Sequence, residues 1–246
     1  MLEGMYTAAA GMAAQQRRLD SLGNDLANVS TTGYKHVRVA FRDLVYTQAA
    51  RGGADGVELG SGAAVRTLGR TTQQGAIKQT GEPLDVAITG EGFLAVRMPD
   101  GRQALTRDGQ LRLDATGRLV TATGGLLMDP SITLPAGTQP DRIAIGADGT
   151  ITADGRAAGR LRLVTVTAPG ALDGGADNVF FATRGSGAPT AAPATTSVQQ
   201  GALESSTVDI GSAMTDMIST QRAFELASKA IQMQDQMLEV ANGVKR

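Results

Sequence analysis

The last stretch of the chain, residues 208–242, carries apolar side chains at the spacing of a coiled coil. One large apolar residue recurs at every seventh position: Met217, Phe224, Ile231 and Leu238. Small or polar residues fall between them at the same spacing: Thr220, Ala227, Gln234 and Ala241. This pattern predicts one long amphipathic helix with a heptad seam. Because such a helix gains most of its stability by packing against another element, we expect a partner for this seam.

The first stretch, residues 2–29, predicts a second amphipathic helix of similar length. Its apolar side chains recur at helical spacing: Leu2, Tyr6, Ala9, Met12, Leu19, Leu22, Leu26 and Val29. Three glycines, Gly4, Gly11 and Gly23, each cost this helix about 1 kcal/mol relative to alanine. Two interpretations stay open: a weak helix, or points where another helix approaches closely. Turn-forming residues at 28–33 predict the end of the helix.

The middle of the chain, residues 65–183, predicts β-structure. Turn dipeptides punctuate it: Asp100-Gly101, Asp108-Gly109, Thr116-Gly117, Asp148-Gly149 and Asp154-Gly155. Short apolar stretches flank these turns at 84–88, 93–96, 111–113, 119–121, 143–145 and 161–166. Strands separated by such turns predict antiparallel hairpins in a sandwich or distorted barrel. Long helical segments do not alternate with the strands, which excludes a parallel α/β sheet.

The remaining segments connect these regions. Residues 34–46 are mixed: Val37, Val39 and Phe41 alternate as in a strand, whereas Phe41, Leu44 and Val45 could equally begin a short helix. Residues 47–64 predict a long flexible loop and residues 185–196 a linker. Residues 198–203 predict a last strand before the terminal helix.

The expected fold class is therefore α+β, mainly β. Paired N- and C-terminal helices, coiled-coil-like, accompany a central antiparallel β-domain. We place a helical core domain at 1–30 and 205–246, and an extended region with a flexible loop at 31–70. The β-rich outer domain covers 71–184, and residues 185–204 form a linker that returns to the core.

Composition narrows the possible functions. The chain has 246 residues and a net charge of −1, so no basic surface indicates nucleic-acid binding. It has no cysteine and a single histidine, His36, which excludes disulfides, thiol catalysis and a multi-histidine metal site within one chain. The chain contains no run of about 18 apolar residues, so no membrane span is expected. Without basic residues before its first apolar stretch, the chain predicts no cleaved signal peptide, so export would use another route.

Candidate chemistry is sparse. The chain has no G-x-S-x-G nucleophile motif and no phosphate-binding G-x-x-x-x-G-K-[ST] motif. His36 beside Lys35 is typical of a solvated turn. Asp108, Asp148 and Asp154 each precede a glycine, where aspartate serves turn geometry. We therefore expect no enzyme, no cofactor and no metal.

A binding or structural role explains more of the sequence. The two terminal helices concentrate the flexible side chains that suit repacking at interfaces: Met5, Met12, Met214, Met217, Met233 and Met237. The helices could pair with each other and with helices of neighbouring chains. The alternative from the pattern alone is an ordinary intramolecular helical hairpin that caps a β-domain.

Five segments resemble the bacterial flagellar rod and hook family of axial proteins. Residues 24–35, NDLANVSTTGYK, resemble its N-N-L-A-N-x-x-T-x-G-[FY]-[KR] signature, with Asp25 in place of an asparagine. Residues 201–209, GALESSTVD, resemble its G-x-L-E-x-S-N-V-[ND] motif, with Thr207 in place of an asparagine. Residues 217–225, MISTQRAFE, match M-I-x-x-Q-R-A-[FY]-E, and residues 80–93 and 106–109 match its central β-segments. The matching motif residues include Asn24, Leu26, Ala27, Asn28, Thr31, Gly33, Tyr34, Gln221, Arg222 and Glu225.

The resemblance implies a structural subunit that polymerises into a tube within the basal body. The length and residues 128–135, MDPSITLP, favour a distal rod subunit; a proximal rod subunit is the alternative within the family. Implied partners are further copies of the chain, other rod proteins, the hook protein and junction, surrounding ring proteins and the flagellar type III export apparatus. The resemblance implies neither nucleic-acid binding nor membrane insertion.

We expect the assembly contacts on the two terminal helices. The residues expected there are Leu19, Leu22, Leu26, Val29, Met217, Phe224, Ile231 and Leu238. A rival from another class is a secreted β-rich enzyme or carbohydrate-binding module with helical ends.

Overall fold

A computed structural model describes residues 2–43, 46–48, 58–60, 62–135 and 137–243. The chain divides into two compact units. The helical unit comprises Met1–Ala27, Val37–Leu68 and Asp209–Arg246, and the β unit comprises Asn28–His36 and Gly69–Val208. This division places residues 37–68 with the helices, whereas the sequence boundaries made 31–70 a region of its own.

The helical unit contains two long helices and short strands. Its elements are α1 (Leu2–Ala27), β1 (Val37–Asp43), β2 (Tyr46–Gln48), β3 (Glu58–Gly60), β4 (Ala63–Arg70) and α2 (Ile210–Gly243). β1 pairs with β4, and β2 pairs with β3 in antiparallel register. The predicted loop at 47–64 is therefore partly wrong, because strands occupy both of its ends. Residues 49–57 and 61 of that loop lie outside the described residues.

The strand alternative for residues 34–46 is the one observed. β1 continues the alternation of Val37, Val39 and Phe41 as far as Asp43, so a short helix beginning at Phe41 is wrong. Leu44 and Val45, which belonged to the helical alternative, lie outside the described residues.

Helices α1 and α2 pack side by side and run antiparallel. The Arg18 guanidinium lies 3.3 Å from the Asp216 carboxylate, whereas Gly4, near the start of α1, faces Gln234, far along α2. At 1.5 Å per residue the helices are roughly 39 and 51 Å long. The predicted helices at both ends of the chain are thus confirmed, and each is the other's partner.

The helix ends differ slightly from the predicted bounds. α1 ends at Ala27, and Val29 lies in the turn that follows. α2 begins at Ile210 because the Asp209 carboxylate accepts a hydrogen bond of 2.8 Å from the Ser212 amide, a side-chain cap for the first turn. The same bond holds the pKa of Asp209 below its usual value.

No helix among the described residues is long and apolar enough to cross a membrane.

The described part of the β unit contains sixteen strands and two short 3-10 helices. The strands are β5 (Ile77–Gln79), β6 (Val86–Thr89), β7 (Phe93–Arg97), β8 (Gln103–Thr106), β9 (Leu111–Leu113), β10 (Leu119–Thr121), β11 (Leu127–Met128), β12 (Ile143–Ile145), β13 (Thr150–Ala153), β14 (Arg156–Arg160), β15 (Leu163–Thr165), β16 (Asp173–Gly174), β17 (Val179–Phe181), β18 (Thr190–Ala191), β19 (Ser197–Gln200) and β20 (Ala202–Glu204). The 3-10 helices are Pro140–Arg142 and Pro169–Ala171.

The strands form one large sheet and several small ones. The large sheet has the order β16-β17-β8-β7-β11-β10-β9, and β15 pairs with both β7 and β18. The order β12-β13-β14 forms a second sheet, and β6-β19 and β5-β20 are pairs. These pairings are antiparallel, which confirms the predicted mainly-β, α+β fold with two helices.

Apolar side chains from these sheets make the core of the β unit. One cluster gathers side chains that include Ile88, Leu94, Val96, Leu119 and Ile151. A second cluster contains Phe93, Leu105, Val164 and Phe180. Turns with glycine at positive φ, such as Gly101, Gly117 and Gly149, connect the strands as the dipeptides predicted.

Two predictions near the end of the β unit are corrected. The single strand expected at 198–203 is two strands, β19 and β20, because Gly201 turns the chain between them with φ of 71°. The linker expected at 185–196 is part of the β unit: β18 pairs with β15. Thr196 is buried there, and its hydroxyl donates a hydrogen bond of 2.6 Å to the Glu91 carbonyl.

Candidate assembly surfaces and a buried ion cluster

The heptad seam of α2 lies on the face that α1 covers. Met217, Phe224, Ile231 and Leu238 are each half-buried, as are Ala227 and Gln234 between them. Thr220, on the same face, is only 1% exposed, and its hydroxyl donates to the Asp216 carbonyl at 2.6 Å. The seven-residue period therefore places these side chains on one face, as α-helix geometry requires.

On α1 the predicted apolar residues are partly covered. Leu19, Leu22 and Leu26 are half-buried, and Ala14 is buried. Val29 is half-buried but lies in the turn within the β unit, so it is not on this helix face. Asp25 is buried, and its carboxylate accepts a hydrogen bond of 3.3 Å from the Val37 amide.

The three glycines of α1 have different surroundings. A Cβ atom at Gly4 would lie 2.3 Å from the Gln234 side-chain nitrogen, so the helices approach closely there. Nothing lies within 4 Å of a Cβ placed at Gly11 or Gly23. Close packing within the chain thus accounts for Gly4, and it does not account for the other two.

A second apolar stripe runs along α2 and is exposed. We call it the outer stripe; its residues are Leu226, Ala230, Met233, Met237 and Val240. Their spacing of three and four residues repeats every seven, as in the seam, but starts two residues after Phe224. Leu226 and Val240 are 67% exposed, Met233 is 58% exposed and Met237 is 56% exposed. Met233 and Met237 were predicted as interface side chains from the sequence, but the exposed stripe to which they belong was not.

From Gln221 onward the third face of α2 is polar. The motif residues Gln221, Arg222 and Glu225 are exposed on it, together with Lys229 and Gln232. Between residues 221 and 240, α2 therefore presents a covered seam, an apolar stripe and a polar face, whereas Met214 and Ile218 are exposed apolar side chains nearer its start.

In the β unit a buried carboxylate gathers three hydrogen-bond donors. Glu204 is 2% exposed, and one of its oxygens, Oε1, accepts from the Lys35 ammonium at 2.6 Å and from the Gly75 amide at 2.7 Å. The other oxygen, Oε2, accepts from the Arg107 guanidinium at 2.8 Å. Lys35 is 4% exposed and Arg107 is 6% exposed. Burial lowers the pKa of Lys35, and hydrogen bonding to Glu204 opposes that shift.

This cluster joins three of the sequence motifs. Lys35 ends the motif at 24–35, Arg107 lies in the central segment at 106–109, and Glu204 lies in the motif at 201–209. Backbone bonds reinforce the junction: the Gly33 amide donates to the Glu204 carbonyl at 2.8 Å, and the Thr207 amide donates to the Tyr34 carbonyl at 3.0 Å. The sequence analysis quoted these residues as motif positions without predicting that they meet.

The structure shows why a glycine stands at position 33. Gly33 has φ of 64°, and a Cβ there would lie 2.4 Å from the Arg107 carbonyl oxygen. Any other residue would therefore be strained and would displace the strand-end that carries Arg107.

The remaining motif residues near the turn have different roles. The Thr31 hydroxyl donates to the Asn28 side chain at 3.1 Å. Tyr34 is buried, and the Arg70 guanidinium lies 5.6 Å from its ring centre. Asn24 and Ala27, at the end of α1, are exposed.

One prediction about turn residues holds and is extended, and another is corrected. The Asp108 carboxylate accepts a hydrogen bond of 3.1 Å from the Gln110 amide, as expected for a turn aspartate. It is also only 3% exposed and accepts a hydrogen bond of 2.6 Å from the Thr32 hydroxyl, so it joins two motifs. His36 is half-buried, and its backbone amide donates to the Thr207 hydroxyl at 3.0 Å. Across the described residues, no group of three or more histidine or acidic side chains is arranged to hold a metal ion.

Comparison with known proteins connects these features to one family. Residues 5–35 match the model for "Flagella basal body rod protein", residues 87–153 that for "Flagellar hook protein FlgE/F/G D1 domain", and residues 199–244 that for "Flagellar basal body rod FlgEFG protein C-terminal". The chain is 36% identical to the flagellar basal-body rod protein FlgG of Borreliella burgdorferi over the whole of both chains. It is 34% identical to FlgG of Caulobacter vibrioides over 99% of this chain and 100% of the relative. Identity to FlgG of Bacillus subtilis is also 34%, over the whole of both.

Proposed function

This chain belongs to the flagellar basal-body rod and hook family, in which it is most like the distal rod protein, and on that premise we propose that it polymerises into the distal rod. The rod would be a tube that transmits torque to the hook and lets exported subunits pass. The chain is a structural subunit of the basal-body rod, and its role in this proposal requires no catalysis, cofactor or metal.

One observation carries the proposal: the outer stripe of α2 is apolar, repeats every seven residues, and its four large side chains are exposed in the single chain. Burying a side chain of this size contributes about 1.5–3 kcal/mol. A coiled-coil period indicates a helical partner, because side chains at heptad spacing pack into the gaps between those of a facing helix. The occupant that we propose is a terminal helix of the adjacent copy.

The glycines of α1 support the same arrangement. Gly11 and Gly23 leave open space in the single chain, although each weakens the helix by about 1 kcal/mol. A neighbouring helix could approach the α1 backbone closely at these two points. Such close approach would fix the separation of adjacent subunits.

The proposed partners follow from this role in the basal body. Copies of this chain would contact one another, other rod proteins and the hook protein with its junction, and surrounding ring proteins would enclose them. The chain would pass through the flagellar type III export apparatus. Neither nucleic-acid binding nor membrane insertion belongs to the proposal.

A pair of adjacent substitutions tests the assembly surface. Met233→Asp places a charge on the outer stripe, whereas Gln232→Asp places the same charge on the polar face one residue earlier. Both positions are exposed, so both monomers should fold. We expect Met233→Asp to raise the concentration needed for assembly about tenfold or more, equivalent to 1.4 kcal/mol per interface. Gln232→Asp should assemble as the wild type does.

The same variants can be examined in a motile strain that carries no other copy of the chain. Electron microscopy should show truncated axial structures with Met233→Asp and complete rods with Gln232→Asp. Complete rods with Met233→Asp would contradict the proposed surface. Intact axial structures after deletion of the whole chain would contradict the rod function itself.

A further inference from the structure

A small cavity in the β unit is lined by three cationic side chains. Its volume is about 240 Å³, and Lys35, Arg70 and Arg107 lie in its wall. Phe93 and Phe180 form an apolar part of the same wall, and Thr71 adds a hydroxyl group. Its lining residues belong to the β unit, whereas the outer stripe belongs to the helical unit.

Cations outnumber carboxylates around this cavity. Lys35 and Arg107 share the single carboxylate of Glu204, and Arg70 adds a third positive charge. Glu91 is the one acidic side chain among the lining residues, and it is exposed to solvent. Buried ions are stable only when they are paired, so a cluster with surplus positive charge favours an anion beside it.

The guanidinium groups are held in place by aromatic rings. Arg70 lies 5.6 Å from the Tyr34 ring centre and 5.4 Å from that of Phe180, and it donates to the Lys35 carbonyl at 3.0 Å. Arg107 lies 5.5 Å from the Phe93 ring centre, and Phe93 and Phe180 meet edge to face at 5.7 Å. The cations are thus fixed before any ligand arrives, which lowers the entropy lost on binding.

Donor capacity remains in this wall. The Lys35 ammonium has three N–H groups, and its bonds to the Gln73 carbonyl and Glu204 use two of them. Arg70 has five N–H groups, and among the described residues it donates one hydrogen bond, to the Lys35 carbonyl. The buried Nε of Arg107 has no hydrogen-bond partner among the described residues. The guanidinium of Arg107 therefore also has an N–H group without an acceptor.

We propose that this cavity is a binding site for an oxyanion, either a carboxylate or a phosphate group. Arginine matches the planar geometry of such groups with paired N–H donors, and lysine contributes a point charge. The oxyanion would restore charge balance next to Glu204 and would raise the lowered pKa of Lys35 towards its ordinary value. Two sources fit: a free ion, or an acidic side chain of an adjacent copy.

Inorganic phosphate is the probe, titrated calorimetrically into the full chain as a monomer at neutral pH. Sodium chloride at matched ionic strength controls for screening. We expect saturable binding of phosphate at one site per chain. Arg70→Gln should weaken it about tenfold or more, because it removes a lining charge. Arg156→Gln, which removes an exposed arginine of β14 in the same unit, should leave the affinity unchanged.

Thr71→Val provides a second variant in case Arg70→Gln does not fold. It removes a lining hydroxyl without changing charge, and it should weaken phosphate binding several-fold. Absence of saturable binding in the wild type would overturn the proposal. So would equal affinities in the wild type, Arg70→Gln and Thr71→Val.

The effect of phosphate on assembly shows whether the bound oxyanion is a free ion or an acidic side chain of an adjacent copy. If phosphate slows wild-type assembly more than matched chloride does, the natural occupant is an acidic side chain of the next copy. If phosphate binds and assembly is unaffected, the occupant is a free ion. Binding is measured on the monomer, so it remains measurable even if the chain does not assemble and the proposed function fails.

Discussion

At the scale of single residues, Glu204 connects distant parts of the β unit. It is hydrogen-bonded to Lys35, Gly75 and Arg107, which come from three separate segments of the chain. Removing one partner of a buried ion pair is more damaging than losing an exposed pair, because the remaining charge stays buried without compensation. The acidic residue of the motif at 201–209 is therefore a folding determinant of this unit.

The pH dependence of stability tests the environment of Lys35. Burial lowers its pKa in the folded chain below the value of 10.5 that applies when unfolded. The unfolded chain therefore binds more protons at this residue between the two pKa values, so the free energy of unfolding rises with pH across that window. Relative to Lys35→Met, the wild type should gain stability as the pH approaches 10.5, measured by urea unfolding.

Lys78→Met is the matched control, because Lys78 lies on β5 and is exposed. Its stability difference from the wild type should stay flat over the same range. A wild type that loses stability relative to Lys35→Met as the pH rises would show that the attraction of Glu204 outweighs burial at Lys35.

At the scale of elements, the helices and the sheets differ in burial. In the described parts of α1 and α2, the residues that reach full burial are Ala14, Asp25, Ala213 and Thr220. The strands of the β unit contain many fully buried residues, among them Leu94, Val96 and Leu105. Local stability follows the density of buried apolar contacts. The helix pair should therefore open more readily than the sheets in the isolated chain.

Hydrogen exchange on dilute monomer measures this difference. Amides of residues 19–26 and 224–238 should exchange faster than those of β7 and β8, because a single face holds each helix. Assembly should slow exchange in both helical segments, since a neighbour then covers the outer stripe. Protection of the helices equal to that of β7 and β8 in the monomer would contradict this account.

At the scale of the whole molecule, the two compact units should respond differently to one substitution. Phe224→Asp puts a charge into the half-buried seam between α1 and α2, at a cost of about 2 kcal/mol or more. We expect lower helical circular dichroism and no assembly, while hydrogen exchange in β7 and β8 stays unchanged. The reason is that Phe224 belongs to the helical unit and the β unit has its own core.

Lys229→Asp is the control for Phe224→Asp, because Lys229 is exposed on the polar face of the same helix. It should retain both the helical signal and assembly. Loss of protection in β7 and β8 with Phe224→Asp would show that the two units do not fold independently.

Much of the fold is predictable from local pattern. Apolar residues at helical spacing predicted both helices, and strands at 111–113, 119–121 and 143–145 have the predicted bounds. Those features depend only on residues close in sequence, because helices and strands each repeat their side-chain directions with a fixed period. The predictions of a loop at 47–64 and a linker at 185–196 were wrong where these segments form strands. Their many glycines and alanines give no alternation of apolar and polar residues, and the strands form through backbone hydrogen bonds to partners that local sequence does not identify.

The sequence by itself determined the two amphipathic helices, the heptad seam of the second, the antiparallel β class and the motifs of a flagellar axial protein. Only the tertiary structure decided that α1 covers one face of α2 and leaves the outer stripe exposed. It alone also showed that Lys35, Arg107 and Glu204 form one buried cluster beside a cavity that Arg70 lines as well. The physical reason is that burial and charge balance depend on residues far apart in sequence, which only the folded chain brings together.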